Sequence, residues 1–244
     1  MRNVATIFRR EFASYFATPL AYVFLLIFLV LAAACTFYLG GWYEREQADL
    51  TPFFAFQPWL YLFLVPAISM RLWAEERKSG TIELLLTLPA TLWQAVLGKF
   101  LAAWAFIAVA LALTFPMWVT VNYLGHPDNG VIAAAYLGSL GMAGGFLAIG
   151  SCLSAVTRSQ VVAFVLTVVT CFLLLLAGYD LVLETVRTWA PLPLVEGVAA
   201  LSFLTHFQSI ARGVIDLRDV LFLATTIGLW LWATAVVLDM KKAR

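Results

Sequence analysis

The stretch MRLWAEERKSGTIELLLTLP, residues 70–89, separates two long apolar runs of a 244-residue chain. Its first half mixes acidic and basic side chains, so that neighbouring turns of one helix can pair. Gly80 tolerates the dihedral angles that end a helix, Thr81 can cap a second one, and Pro89 stops it. We therefore predict a rigid foot outside the membrane over residues 71–92, which a soluble partner could push.

The composition indicates an all-α integral membrane protein. Hydrophobic residues make up 63% of the chain and charged residues 12%, against about 45–50% and about 25% in soluble domains. The mean hydropathy is +0.93. This length has room for about six spans of about 20 residues, so residues 1–244 are expected to form one transmembrane domain with no soluble catalytic module. A net charge of +1 gives no reason to expect nucleic-acid binding.

Charged residues divide the chain into uncharged runs that are each long enough for a spanning helix. The six runs are 12–43, 50–70, 100–127, 129–157, 159–179 and 220–238. We place the six span cores at 20–39, 54–73, 96–123, 131–156, 161–180 and 220–238. An even number of spans puts both termini on one side of the membrane.

The distribution of basic residues gives the orientation. With the N-terminus in the cytoplasm, all but four of the 15 basic residues lie inside, and the exceptions are Arg45, Arg187, Arg212 and Arg218. Most acidic residues then fall outside. This asymmetry is the one that the positive-inside rule requires, so we predict that both termini are cytoplasmic.

Residues 1–18 are predicted to form an amphipathic helix in the membrane interface. Its apolar face consists of Val4, Ile7, Phe8, Phe12, Tyr15 and Phe16. Pro19 is expected to turn the chain into the first span. The helix could be a simple anchor or could have a docking role, and the sequence leaves both interpretations open.

Three further features concern the spans and the outer segment. Pro116 is expected to kink the third span. The fourth span carries glycines that allow close helix packing, and these are Gly138, Gly141, Gly144, Gly145 and Gly150. The segment 181–218 is predicted to form helical pieces at the outer leaflet, with helical periodicity over 202–215. We expect that part to be a cap or gate, with candidate gate residues His206, Phe207, Arg212, Gly213 and Asp216.

Several other function classes fit the sequence poorly. A serine protease inside the membrane needs a histidine beside its serine, whereas His126 and His206 lie in outer segments, far from Ser151. An ion-coupled carrier needs ionisable residues deep in the bilayer, and Lys99 falls near a span end, where its amine can snorkel to water. The scattered histidines and methionines form no metal-ligand set.

The apolar surface of the second helix of the foot indicates that lipid or a partner covers it. Its apolar residues are Ile82, Leu84, Leu85, Leu86 and Leu88. The run EERKSGTIELLLTLP at 75–89, with Gly98 and Lys99 opening the next span, resembles the signature of type-2 ABC export permeases. The six-span plan, the N-terminal helix and the run THFQSIARGVIDLRDV at 205–220 resemble the branch that contains gliding-motility permeases and those of nitrous-oxide-reductase maturation.

The resemblance implies a permease subunit of an ATP-driven exporter in the bacterial inner membrane. A second permease, alike or a paralogue, and two ABC ATPase subunits would complete the complex. ATP and Mg would bind to the ATPase, and this chain would hold no cofactor. The implied ATPase-coupling residues are Glu75, Glu76, Arg77, Gly80, Thr81, Glu83, Leu84, Leu85, Leu86 and Pro89. A mechanical or regulatory membrane subunit that transports nothing is the alternative.

Overall fold

The computed structural model describes residues 2–80, 91–188 and 192–242, and every regular element in these ranges is helical. The first six helices are α1 (Arg2–Phe16), α2 (Pro19–Ala34), α3 (Thr51–Ser69), α4 (Arg71–Ser79), α5 (Leu92–Ala112) and α6 (Phe115–Leu124). The remaining six are α7 (Asn129–Val156), α8 (Gln160–Leu176), α9 (Asp180–Arg187), α10 (Leu192–Ala200), α11 (Phe203–Ala211) and α12 (Leu217–Lys242). A π-helical turn, Cys35–Leu39, extends α2.

Five stretches of the described residues are long and apolar enough to cross a membrane. They are Ala21–Leu39, Thr51–Ser79, Leu92–Leu124, Asn129–Val156 and Leu217–Lys241. The remaining predicted span, 161–180, corresponds to α8, an apolar helix of 17 residues. At 1.5 Å per residue this helix is about 25 Å long, slightly shorter than the usual hydrocarbon thickness of about 30 Å. A total of six spans therefore stays a prediction.

Local sequence signals set the helix ends where they were expected. Pro19 occupies the first turn of α2, a position where its missing N–H costs nothing. The third span is interrupted at Leu113 and Thr114, and Pro116 lies in the first turn of α6, which confirms the predicted kink. Asp128 caps α7 by accepting from the backbone N–H groups at the start of that helix.

Helix α7 forms the centre of the bundle and contacts α3, α4, α5, α8, α11 and α12. Its glycines permit this, because a Cβ at Gly138 would lie 2.7 Å from Ile210 Cγ2, and one at Gly141 would lie 2.9 Å from Leu223 Cδ1. A Cβ at Gly145 would overlap the ring of Phe203. The glycines of the fourth span therefore serve packing inside the chain.

The segment between α8 and α12 is helical but differs in detail from the expectation. The helix predicted over 202–215 covers only Phe203–Ala211, with Ser202 as its N-cap. It ends early because Gly213 adopts φ +86°, a left-handed conformation that stops an α-helix. Of the predicted apolar face, Phe203, Phe207 and Ile210 are buried and Val214 is exposed.

Candidate functional site

Helix α1 packs along the first half of α5. The methyl-bearing side chain of Ile7 sits against Gly98, where a Cβ would lie 2.7 Å from Ile7 Cγ2. Further along, the ring of Tyr15 stacks on Phe106, with centroids 5.0 Å apart. Helix α1 is therefore packed against the bundle, and its role in docking stays a prediction. We call this end of the molecule, where α1, α4, the start of α5 and the last turns of α7 and α12 meet, the α1 end.

Lys99 joins three helices at the α1 end. Its Nζ lies 2.7 Å from Glu76 Oε1 on α4 and 3.4 Å from Glu11 Oε2 on α1. It also lies 5.4 Å from the centroid of the Trp73 ring, within cation–π range. The side chain is 5% exposed, so the expectation that it snorkels to water was wrong. A buried ammonium is tolerated here because two carboxylates compensate the loss of hydration.

The Glu11 carboxylate is held in its charged form by this network. Burial by itself raises the pKa of Glu11, but the charge of Lys99 and the hydrogen bond and charge of Arg10 outweigh it, so that the pKa lies below the ordinary value. The nearest Arg10 nitrogen is 2.8 Å from Glu11 Oε1. Helix α1 is therefore tied to α5 by an ion pair that persists at neutral pH.

A serine from α7 explains why α3 and α4 are separate helices. Ser154 Oγ donates to the Met70 carbonyl at 2.9 Å and accepts from the N–H groups of Trp73 and Ala74 at 3.1 and 3.0 Å. The hydroxyl is thus inserted into the helical hydrogen-bond ladder at Met70, a recognised cause of helix kinks. The Trp73 indole donates to Ser151 Oγ at 3.0 Å. The direction of α4 is therefore fixed by α7.

Two cations hold the C-terminal end of α7. Arg77 Nη1 donates to the carbonyls of Ala155 and Val156 at 2.7 and 3.0 Å. Lys241 Nζ, from the last turn of α12, donates to the same two carbonyls. The last carbonyls of a helix have no partner within that helix and carry partial negative charge. Helices α4 and α12 are therefore both attached to the end of α7.

The first described part of the foot ends at Gly80. Its φ of +73° ends α4, as its sequence position predicted. Glu75 pairs with Arg71 at 3.4 Å on the exposed side of α4. Six predicted ATPase-coupling residues lie outside the described residues, and these are Thr81, Glu83, Leu84, Leu85, Leu86 and Pro89. Of the other four, Glu76 and Arg77 contact other helices of this chain, and their contact with an ATPase stays a prediction.

A charged cavity of about 270 Å³ separates α1 from α4. Its lining residues are Glu11, Ser14, Tyr15, Thr18, Arg71, Leu72, Glu75, Glu76 and Lys99. The cavity gives the carboxylates of the network access to water on one side, since the Glu11 and Glu76 side chains remain 20% and 19% exposed. The ion-pair network between α1, α4 and α5 is therefore partly hydrated.

At the opposite end, which we call the α11 end, the predicted gate residues fall into two groups. Phe207 is buried, whereas Arg212, Gly213 and Asp216 lie at the exposed end of α11 and the turn into α12. His206 is 4% exposed, and its Nδ1 lies 2.6 Å from Asp219 Oδ1 on α12. Its Nε2 lies 3.0 Å from the Ala200 carbonyl. Of the candidate gate residues, Phe207 and Arg212 therefore line one cavity, whereas His206 is paired with Asp219.

The pairing with Asp219 is the feature at this end that sequence analysis missed. Asp219 lies 13 residues after His206. From the sequence it is only one of several acidic residues predicted to lie outside the membrane. The His206 ring also stacks on Phe222, with centroids 4.1 Å apart. Each of the two ring nitrogens faces an oxygen of another residue. The pair therefore fastens α10 and α11 to the start of α12.

The geometry gives no support to the alternative catalytic or metal-binding functions. Ser151 accepts from the Trp73 indole, and the His206 nitrogens face Asp219 and Ala200, so that serine and histidine are not paired with each other. Among the residues described here, no three histidine, cysteine, aspartate or glutamate side chains cluster in a way that could hold a metal ion.

Comparison with known proteins agrees with the architecture. No curated protein matches this chain. The model of the family described as ABC-2 family transporter protein matches residues 5–214, a range that includes most of α1, the foot, the central helix α7 and all of α11. The described helices and this match together make the chain a multi-pass membrane protein that belongs to the ABC-2 transporter family.

Proposed function

We propose that this chain is the permease subunit of an ATP-driven exporter in the bacterial inner membrane. Two ABC ATPase subunits, which hold ATP and Mg, bind the foot on the cytoplasmic side and drive the transport cycle. A second permease, identical or a paralogue, completes the membrane part. The family membership supports the permease assignment, and the features of the α1 end support the coupling to an ATPase.

The single observation that carries the coupling proposal is the position of Lys99. A force applied to the foot reaches α4, and from α4 it passes through Glu76 and Lys99 to α5 and through Glu11 to α1. Arg77 connects α4 to the end of the central helix α7 as well. A foot with these attachments moves the spans with it, whereas a loosely tethered loop does not.

The charge distribution supports a cytoplasmic location for the α1 end. The basic residues that belong to this end include Arg9, Arg10, Arg71, Arg77, Lys78, Lys99, Arg158 and Lys241. The opposite end holds Arg45, Arg187, Arg212 and Arg218. Positively charged flanks stay in the cytoplasm during membrane insertion, so both termini are cytoplasmic in this proposal.

The exposed apolar faces of α2 and α8 support association with lipid and with a second permease. On α2, Leu26 and Val30 are 63% and 57% exposed, and on α8, Val161 and Leu173 are 70% and 60% exposed. Lipid or another subunit can cover such apolar surfaces and keep them out of contact with water. In this proposal the first, second and fifth spans form the dimer seam that opens during the cycle.

Copurification with an ATPase tests the proposal. The full-length chain is isolated with an affinity tag from membranes of its own source, and ATP hydrolysis in the sample is measured. Glu83→Lys reverses a charge on the foot and is expected to lower the recovered ATPase activity about tenfold, the effect of one charged contact. Glu44→Lys, an exposed charge reversal outside the foot, serves as the matched control.

The outcomes separate the alternatives. Equal ATPase recovery with both variants contradicts the proposed docking site. Recovery of an ATPase whose activity depends on the foot, in vesicles that accumulate or release no cargo, favours the mechanical or regulatory subunit.

A further inference from the structure

A cavity of about 430 Å³ opens at the α11 end, between the starts of α3 and α7 and one side of α11. Its lining is mostly apolar, and the aromatic residues in the wall are Phe54, Trp59, Tyr179 and Phe207. Thr51 and Trp59 both line it, and eight residues of helix span about 12 Å. The cavity therefore reaches to a depth comparable with one leaflet of a bilayer, whose full hydrocarbon core is about 30 Å thick.

The mouth of this cavity carries charges of both signs. Asp49 accepts from the backbone N–H and the hydroxyl of Thr51, at 3.3 and 3.1 Å. Asp128 accepts from Gly130 N at 2.8 Å. These hydrogen bonds fix the positions of both carboxylates. Arg212 lies at the C-terminal end of α11, and within the described residues its guanidinium makes no ion pair.

The wall formed by α11 is fixed in place before any ligand arrives. Ser202 caps the helix by accepting from Leu204 N at 3.1 Å. His206 ties it to Asp219, and Gly178 approaches so closely that a Cβ there would overlap Ser202 Oγ. Ligand cavities of this size in proteins are mostly apolar, largely preformed and oriented by a few polar groups.

We propose that this cavity binds one phospholipid whose headgroup contains a phosphate and a primary amine. The acyl chain fills the apolar cavity, the phosphate pairs with Arg212, and the ammonium group donates to Asp49 and Asp128. A purely anionic headgroup places its charge near two carboxylates without a compensating cation. A choline headgroup has no N–H to donate. The site is distinct from the foot and does not depend on the proposed transport function.

Native mass spectrometry of the purified full-length protein tests the site. The delipidated protein is titrated with dioleoyl phosphatidylethanolamine, phosphatidylglycerol or phosphatidylcholine, and bound lipids per chain are counted. We expect one phosphatidylethanolamine to be retained at about tenfold lower concentration than either other lipid, the factor for one charge-assisted hydrogen bond.

Two variants test separately whether lipid retention depends on the charged mouth and on the apolar cavity. Arg212→Gln is expected to lower retention of phosphatidylethanolamine about tenfold, whereas Arg218→Gln, an exposed arginine that does not line the cavity, leaves it unchanged. Ala55→Trp fills the cavity from its wall and keeps the charged mouth, so it is expected to abolish retention of that lipid. The thermal midpoint without added lipid checks that each variant is folded.

Three outcomes would overturn the proposal. The first is equal retention of the three lipids by the unaltered protein, and the second is equal loss with Arg212→Gln and Arg218→Gln. The third is a change of oligomeric state in Ala55→Trp with lipid retention intact, which would mean that a second copy of the chain occupies the cavity.

Discussion

The two ends of the bundle bury charge in different ways. At the α1 end, Lys99 shares two carboxylates from two other helices, and both carboxylates border a water-accessible cavity. At the α11 end, His206 and Asp219 form one pair whose side chains are 5% and 8% exposed. Through Lys99 the network links three helices so that they move together, whereas the sealed pair joins two helices and resists separation. The comparison suggests that the α1 end transmits movement and the α11 end stays fixed.

The largest effect is expected from breaking the sealed pair. His206→Ala leaves Asp219 buried without its partner, which should lower the free energy of unfolding in detergent by about 3–5 kcal/mol. Denaturant titration of the purified protein measures this. Asp219→Asn is the control, because a neutral amide can still accept a hydrogen bond from the ring and should be less destabilising. A loss below about 1 kcal/mol in His206→Ala would show that the pair is not sealed.

Removing the Lys99 cation at the α1 end should destabilise the protein less. Lys99→Met leaves Glu11 and Glu76 facing each other. Because both carboxylates are partly exposed and can regain hydration, we expect the free energy of unfolding to fall by only about 2–3 kcal/mol. The triple variant with Glu11→Gln and Glu76→Gln removes the uncompensated charges and should recover most of that loss. If the triple variant is as unstable as Lys99→Met, packing of the lysine stem rather than charge accounts for the effect.

The Ser154 hydroxyl, which is inserted between α3 and α4, should affect the direction of α4 more than the stability of the protein. In Ser154→Ala, the N–H groups of Trp73 and Ala74 can return to ordinary helical acceptors, so the expected destabilisation is only about 1 kcal/mol. We expect α3 and α4 to merge into a straighter helix. Spin-label distances between α4 and the end of α7 would report this, and an unchanged distance would contradict the role of the hydroxyl. Ser159→Ala, outside this contact, is the control.

Lowering the pH should loosen the α1 end through Glu11. Its folded pKa lies below the ordinary value of 4.5, so its contribution to stability is complete above that value and is lost as the pH falls through the folded pKa. A fluorophore attached beforehand at Ala5→Cys, an exposed position on α1, should gain mobility only in that acidic range. In Glu11→Gln, the fluorophore on α1 should already be mobile at neutral pH, and its mobility should depend less on pH.

Features that depend on local chemistry could be predicted from the sequence. The amphipathic face of α1, the turn at Pro19, the break before Pro116 and the end of α4 at Gly80 all follow from the side chains at those positions. The glycines of α7 were correctly assigned to internal packing. Membership of the ABC-2 family was also predictable from the foot signature and is confirmed.

Features that join distant parts of the chain could not be predicted. Ser154 interrupts a helix that lies 81 residues earlier in the sequence, and nothing near either position indicates this. Lys99 was expected in water because a lysine near a span end usually reaches it, and its two carboxylate partners come from other helices. The pairing of His206 with Asp219 depends on how α11 folds back against α12.

Distance measurement between α1 and α4 in the complex with the ATPase tests the central claim most directly. Spin labels are placed at Ala5→Cys and Lys78→Cys in a protein whose native cysteines are replaced, and the distance is recorded with and without ATP. The account predicts one narrow distance that ATP leaves unchanged, and a broad distribution once Lys99→Met is introduced. Separation of α1 from α4 on ATP addition, or a narrow distance that survives Lys99→Met, would contradict it.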